Sequence, residues 1–301
     1  MEQVSPDRLS FLQRWMLAIR PKTLPAAVAP VVLGWSIAAA TGRFEWLPAL
    51  AAMVCSLMFQ IGANLVNDVV DFSKGADTNQ RTGPTRVTQT GLLTSGQVWG
   101  GVWLTFGVAA LAGAYLTWQS GWVVLWLGLA SILAAIIYTA GPFPLAYHGL
   151  GDLFVMVFFG FAAVCGTVYV VSGTLPVTAW FGAVAAGALT VNILVVNNIR
   201  DIETDRTAGR RNIAIVFGRS AAAWEYALML VVAYAVPPVL ICKGMASYWA
   251  LIPLLSLPQG IKLWSILRGD LSGQALNPIL GKTAQLLLAY CALLAVGLLP
   301  G

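Results

Sequence analysis

Asn64, Asn67, Asp68 and Asp71 fall at positions i, i+3, i+4 and i+7 of a stretch that continues an apolar helix, which puts all four on one face. Asn197, Asp201 and Asp205 repeat at i, i+4 and i+8, and Asn-x-x-x-Asp occurs in both stretches, as Asn67 to Asp71 and Asn197 to Asp201. The chain has 12 acidic residues, and six of them (Asp68, Asp71, Asp77, Asp201, Glu203 and Asp205) lie in these two windows, which scattered solvation would not produce. Carboxylate and carboxamide oxygens are hard ligands suited to Mg²⁺, which prefers octahedral oxygen coordination and shares its shell with phosphates and water. Two walls can hold two ions. Lys74 and Arg86 follow the first wall, and Arg200 and Arg206 attend the second, where they can take the remaining oxygens of a diphosphate. Metal and cations together would stabilise that diphosphate as a leaving group.

The elements that must position these residues belong in a membrane. Of the 301 residues, 58% are hydrophobic and 10% charged, against roughly 25% charged in soluble domains. Apolar runs long enough to cross a bilayer core of ~30 Å are expected near 23–41, 46–66, 98–118, 122–140, 153–173, 176–197, 221–241, 247–267 and 279–299. The expected fold is therefore all-α, with nine membrane-spanning helices in one domain over 1–301. Residues 1–22 carry Arg8, Arg14, Arg20 and Lys22 among Phe11, Leu12, Trp15, Met16 and Leu17, which predicts an amphipathic surface helix turned inward at Pro21. The acidic stretches end the second and sixth runs. Two parallel four-helix repeats plus a ninth helix, around one central cavity, follow from that spacing.

Alternate loops hold 15 of the 17 Lys and Arg residues, all but Arg43 and Lys243, so the N-terminus and both acidic walls are expected on the cytoplasmic side of the cell membrane. The net charge of +5 thus reads as topology and not as a nucleic-acid footprint. Cys55, Cys165, Cys242 and Cys291 lie far apart in apolar segments without metal or redox spacing. An apolar cavity lined by aromatics suits a long lipid tail, and Tyr138, Phe143, Tyr147, Phe158, Phe159 or Tyr169 could face an allylic cation. His148, the sole histidine, and Asp152 share a Pro/Gly-rich turn between the fourth and fifth runs. His148 is a candidate base, although the turn alone would account for it, and Asp152 is a candidate helix cap.

Four segments, RPKTLPAAVAPVVLG from Arg20, NDVVDFSKGADTNQRTGPTRVTQTGLL from Asn67, YTAGPFPLAYHGLGDLFVMVFFG from Tyr138 and NNIRDIETDRTAGRRNIAIVFG from Asn197, occur in this order. With nine spans and two aspartate-rich motifs, they resemble the UbiA superfamily of intramembrane aromatic prenyltransferases over essentially the whole chain. The likeness is greatest to the members that act on 1,4-dihydroxy-2-naphthoate in menaquinone synthesis. The resemblance implies that Asn67, Asp68, Asp71, Asp77, Asn197, Asp201 and Asp205 hold Mg²⁺ and a polyprenyl diphosphate, with Tyr138 and His148 near the chemistry. The first motif departs from the superfamily spacing, because Gly75 stands where an acid is usual and the acid appears at Asp77. Benzoate-type members carry a basic residue soon after the tyrosine of the fourth span. Tyr138 has none, which disfavours a benzoate acceptor. The implied reaction joins a polyprenyl group to the naphthoate ring with loss of CO₂, with Lys22, at the start of the first run, or Arg86 to hold the aromatic carboxylate and His148 or an aspartate to take the phenolic proton. Alternatives are a related transferase for a phytyl donor or a homogentisate or haem acceptor, and a cation-coupled transporter. The transporter would need acids at the bilayer midplane and a paired mid-helix break, and the acids here lie toward one face.

Overall fold

The computed structural model describes residues 9–73, 83, 86–137 and 148–299. Lys74, Asp77 and Tyr138, together with Phe143 and Tyr147, lie outside the described residues.

Helix α1 (Phe11–Ile19) begins in a reciprocal cap, in which Ser10 Oγ accepts the Gln13 N–H and the Gln13 side chain accepts the Ser10 N–H. Phe11, Leu12, Met16 and Leu17 are exposed on its apolar side while Ala18 is buried, the amphipathic pattern expected of a surface helix. Arg20 ends α1 at φ 57°, the one non-glycine residue with positive φ among those described. A 3₁₀ turn (Pro21–Thr23) leads into α2 (Pro25–Ala40), and the two segments meet at 55°. Proline at the start of each explains the corner, since it lacks an N–H and its fixed φ suits a first helical turn.

Next come α3 (Trp46–Ser73), α4 (Ser95–Ser120) and α5 (Trp122–Ile137). Helices α6 (Gly151–Val155) and α7 (Ala163–Ser172) form one rod through a π-helical stretch, Met156–Ala162. After α8 (Val177–Arg200), the short α9 (Ile202–Thr207) and α10 (Ile213–Val216) precede α11 (Arg219–Cys242). The 3₁₀ stretch Tyr248–Ser256 continues as α12 (Leu257–Leu267), and Gly273–Leu276 continues as α13 (Asn277–Leu298).

Seven of these rods are long and apolar enough to cross a membrane, and the bent pair at the N-terminus makes an eighth. The expected count of nine is not reached among the described residues. Helix α2 has 16 residues, about 24 Å at 1.5 Å per residue, and completes a crossing only with the turn before it. Helix α5 also has 16 residues and ends where the described chain stops.

Helix α8 is the centre of the bundle, packed against α2, the π stretch, α7, α11 and α13. Small residues make this possible: Ala179, Ala183, Ala186 and Ala188 are buried without gaps, and Gly160 and Gly187 bring two backbones together. A Cβ on Gly160 would stand 2.7 Å from the Ala183 carbonyl oxygen and 3.0 Å from Gly187 Cα. The π stretch also sets the phase of the rod. An α-helix drifts by about 40° for every four residues, and the wider π turn winds that drift back, so Phe154, Phe158, Ala162, Gly166 and Val170 all reach the same cavity.

Between α11, α12 and α13 the interior is filled instead of hollow. Tyr290 donates to the Ala233 carbonyl at 2.6 Å, and Tyr234 lies 2.6 Å from Ser256 Oγ and edge-on to Tyr290 at 5.0 Å. The cavity is therefore not shared evenly between two halves. It is bounded by α2 to α8 and by Leu280 of α13, and among the described residues no side chain of α11 or α12 lines it.

Gly160→Val tests the close approach. The added carbons meet backbone, which cannot rotate away, so a loss of about 1–3 kcal/mol and a lower unfolding temperature of the purified protein are expected.

Candidate active site

A cavity of about 500 Å³ has Arg20, Asn64, Asn67, Asn197 and Arg200 as a polar head in its lining. Its body is apolar, with Phe59, Leu125, Leu129, Phe154, Phe158 and Phe159 on the wall. Such a shape takes a molecule with a charged head and a hydrocarbon tail.

The first acidic wall is built on the last three turns of α3, but its four residues have separate tasks. Asn67 reaches the cavity. Asn64 also lines it, while its Nδ2 donates to the Ile19 carbonyl at 3.0 Å and to Thr23 Oγ1 at 2.9 Å, which pins the corner after α1 to α3. Asp68 is fully buried and accepts the N–H groups of Val87 at 3.2 Å and Thr88 at 3.0 Å, one on each oxygen, with Arg20 Nη2 at 3.5 Å. It is among the expected metal ligands, and here both its oxygens hold the turn that carries Arg86, much as both oxygens of Asp201 are held by Arg200. Asp71, 3% exposed, takes Arg86 Nη2 at 2.6 Å on Oδ2. Its Oδ1 makes no hydrogen bond among the described residues and meets Arg210 Nη2 at 3.5 Å.

The second wall departs from the continuous helical face expected of it. Helix α8 ends at Arg200, Asp201 has φ −99° and ψ 13°, and α9 begins at Ile202. Asn197 still faces the cavity. Arg200 donates from Nε at 2.8 Å and from Nη2 at 2.6 Å to the two oxygens of Asp201, and from Nη1 to Asn277 Oδ1 at 3.1 Å. Asp205 meets Arg210 Nη1 at 3.3 Å. Gly209 at φ 73° lets the chain double back after α9 and bring Arg210 over Asp205. Arg210 thus joins the two walls, with one nitrogen at Asp71 and another at Asp205. Burial pushes the Asp205 carboxyl up to about 6; Arg210 works against that rise, while the charge of Asp201 adds to it.

Among the described residues no three acidic, histidine or cysteine side chains gather closely enough to hold an ion by themselves. What the walls do offer is hard oxygen: the buried Asp71 Oδ1, the carboxylates of Asp201 and Asp205, and the amides of Asn67 and Asn197 at the cavity head. That donor chemistry fits Mg²⁺ completed by phosphate and water oxygens.

Other candidates lie elsewhere. Lys22 is exposed on the 3₁₀ turn and does not line the cavity. Arg206 is 58% exposed and pairs loosely with Glu203 at 3.8 Å. His148 is exposed in the turn before α6 and is not among the residues lining the cavity. Arg86 donates from Nη2 to Asp71. Arg20 and Arg210, first read as surface or topology charges, are in the site instead. Gln60 and Thr23 also line the cavity and had no place in the sequence reading. Gln60 had a usable signal: a lone amide in an apolar run, four residues before Asn64 and seven before Asn67.

Residues 27–276 match the model of the UbiA prenyltransferase family. The chain is 33% identical over 288 residues to the 1,4-dihydroxy-2-naphthoate octaprenyltransferase of Escherichia coli, covering 94% of each chain. It is 35% identical over 292 residues to the protein of the same name from Mycobacterium tuberculosis, covering 97% of this chain and 98% of that one. In fold it is similar to the apo structure of a UbiA homologue from Aeropyrum pernix (TM-score 0.71, 15% identity, 90% of this chain and 97% of that one). A UbiA homologue from Archaeoglobus fulgidus bound to DMAPP and Mg²⁺ aligns with TM-score 0.66 at 15% identity, over 94% of this chain and 99% of that one.

If Asp68 holds the turn after the first wall, Asp68→Ala strands two buried N–H groups. Amide exchange at Val87 and Thr88 is then expected to speed up by about tenfold or more, while exchange along α8 is unchanged.

Proposed function

This chain belongs to the UbiA prenyltransferase family, and on that premise we propose that it transfers a polyprenyl group from an allylic diphosphate to 1,4-dihydroxy-2-naphthoate with loss of CO₂, a step of menaquinone biosynthesis. The observation that carries this reading is the cavity: an apolar pocket whose head is made of Asn67, Asn197, Arg20 and Arg200, backed by two carboxylate walls that Arg210 joins. The relatives that match nearly the whole chain carry the name of this reaction.

Asn67, Asp71, Asn197, Asp201 and Asp205 would hold Mg²⁺, two ions in this reading, which when bound supplies Lewis-acid stabilisation of the departing diphosphate. Arg20 and Arg200 line the cavity head and would take phosphate oxygens, Arg200 in exchange for one of its bonds to Asp201 or Asn277. The apolar wall excludes water from the allylic cation left when the carbon–oxygen bond breaks, and Phe158 and Phe159 on that wall would stabilise it by cation–π attraction. The ring carbon bearing the carboxylate attacks that cation as the neighbouring hydroxyl gives up its proton. The carbon–carboxylate bond then breaks, CO₂ leaves, and its electron pair restores the aromatic ring, whose oxygen takes a proton back. The whole chain acts as one membrane-embedded domain of nine spans in two four-helix repeats plus one, with the N-terminus and site on the cytoplasmic side of the cell membrane.

The direct test uses membranes holding this protein and naphthoate labelled in its carboxylate. Labelled CO₂ should appear only when both the polyprenyl diphosphate and Mg²⁺ are present. Asp71→Ala and Asp201→Ala should each cut turnover by about 10²- to 10³-fold or more without loss of membrane insertion; full activity in either would overturn the two-wall arrangement. Because Asp205 holds its proton below about 6 and a ligand carboxyl must be ionised, the Mg²⁺ concentration for half-maximal rate should climb as pH falls through that value. In Asp205→Asn that inflection should vanish.

A further inference from the structure

Thr23, Gln60 and Asn64 form a small polar network on the cavity wall, and its hydrogen-bond inventory has one consequence for the ligand. Thr23 Oγ1 donates its proton to the Arg20 carbonyl at 2.9 Å. A hydroxyl has one proton, so toward Gln60 and Asn64 it can only accept. Asn64 therefore presents Nδ2 to it, at 2.9 Å, and Gln60 presents Nε2, at 3.2 Å. With Nε2 committed, Gln60 Oε1 is the atom left over, and it is buried with no hydrogen-bond donor among the described residues. An orphaned carbonyl oxygen in an apolar surround is costly, and Gln60 lines the cavity.

We infer that Gln60 is the residue that reads the aromatic acceptor, its Oε1 accepting a hydrogen bond from a ring hydroxyl. The chemistry of the two substrates separates them here. A polyprenyl diphosphate has no donor to offer along its hydrocarbon, and its phosphates are acceptors. A dihydroxy-aromatic acid brings two O–H donors. Position agrees: Gln60 is seven residues before Asn67 on α3, about 10 Å deeper along the helix axis, so a bicyclic ring can bridge from the diphosphate end to this oxygen. The hydrogen bond draws the O–H proton away from the ring, which raises the electron density of the carbon that attacks. The inference rests on the naphthoate reading above and adds to it the group that distinguishes a hydroxylated ring from other acceptors.

The test measures naphthoate and diphosphate separately in wild type, Gln60→Met and Thr23→Val, with equilibrium binding of naphthoate to protein in lipid nanodiscs as a second readout. In Gln60→Met the KM and Kd for 1,4-dihydroxy-2-naphthoate should rise about tenfold, with the KM for polyprenyl diphosphate unchanged. Thr23→Val, which frees the amide to turn, should shift the same constants in the same direction. One of the two monomethyl ethers of the naphthoate should bind wild type about tenfold more weakly than the diol, and that discrimination should disappear in Gln60→Met. If wild type releases CO₂ from the naphthoate but Gln60→Met keeps its affinity and its preference for the diol, this inference is wrong and the naphthoate reading stands. If wild type releases no CO₂ from it, both fall.

Discussion

A carboxylate buried at the end of an apolar helix has to find a counter-charge, and the end of this bundle that holds the site is arranged around that need. Asp68, Asp71, Asp201 and Asp205 are each met by a guanidinium. Arg200 is the neighbour of its own partner, but the others come from separate elements: Arg20 from the corner after α1, Arg86 from the turn before α4, Arg210 from the return after α9. Arg210 is the keystone, because it touches both walls. Buried pairs of this kind contribute little net stability, yet losing one member leaves a charge stranded in the interior. They therefore specify how the loops close over the helix ends.

The rest of the bundle divides its interior into a solid part and a hollow one. Tyr226, Tyr234 and Tyr290 fill the space among α11, α12 and α13 and spend their hydroxyls on Thr283, Ser256 and the Ala233 carbonyl. On the other side of α8, alanines and glycines leave room, and the π stretch in the α6–α7 rod keeps one face turned to that room along its length. On the proposed reaction, the hollow half is where an allylic cation would form away from water.

Much of this was legible in the residues. Composition alone requires a membrane, since 10% charged residues cannot cover a soluble surface. The Asn-x-x-x-Asp repeats mark two helix ends that meet at the head of the cavity, and the likeness to UbiA prenyltransferases follows from them and the loops around them. The apolar runs predict helices correctly in kind, and the amphipathic start and the turn at Pro21 are found as the residue pattern implies. All of these depend on neighbours in sequence or on bulk polarity, which a sequence contains directly.

What only the tertiary structure decided depends on which distant group a side chain meets. Arg20 and Arg210 look like topology charges until the corner after α1 and the Gly209 turn bring them to Asp68 and Asp205. Asp68 shares a helical face with Asp71, but Val87 and Thr88, brought back across the helix, take up its oxygens. The break at Asp201 interrupts a pattern that spacing alone would extend. The orientation of Gln60 is fixed by a single proton on Thr23, a residue far from it in sequence. Spacing determines which face a residue occupies; the partner across the gap decides what it does there, and that partner is set only when the chain has closed on itself.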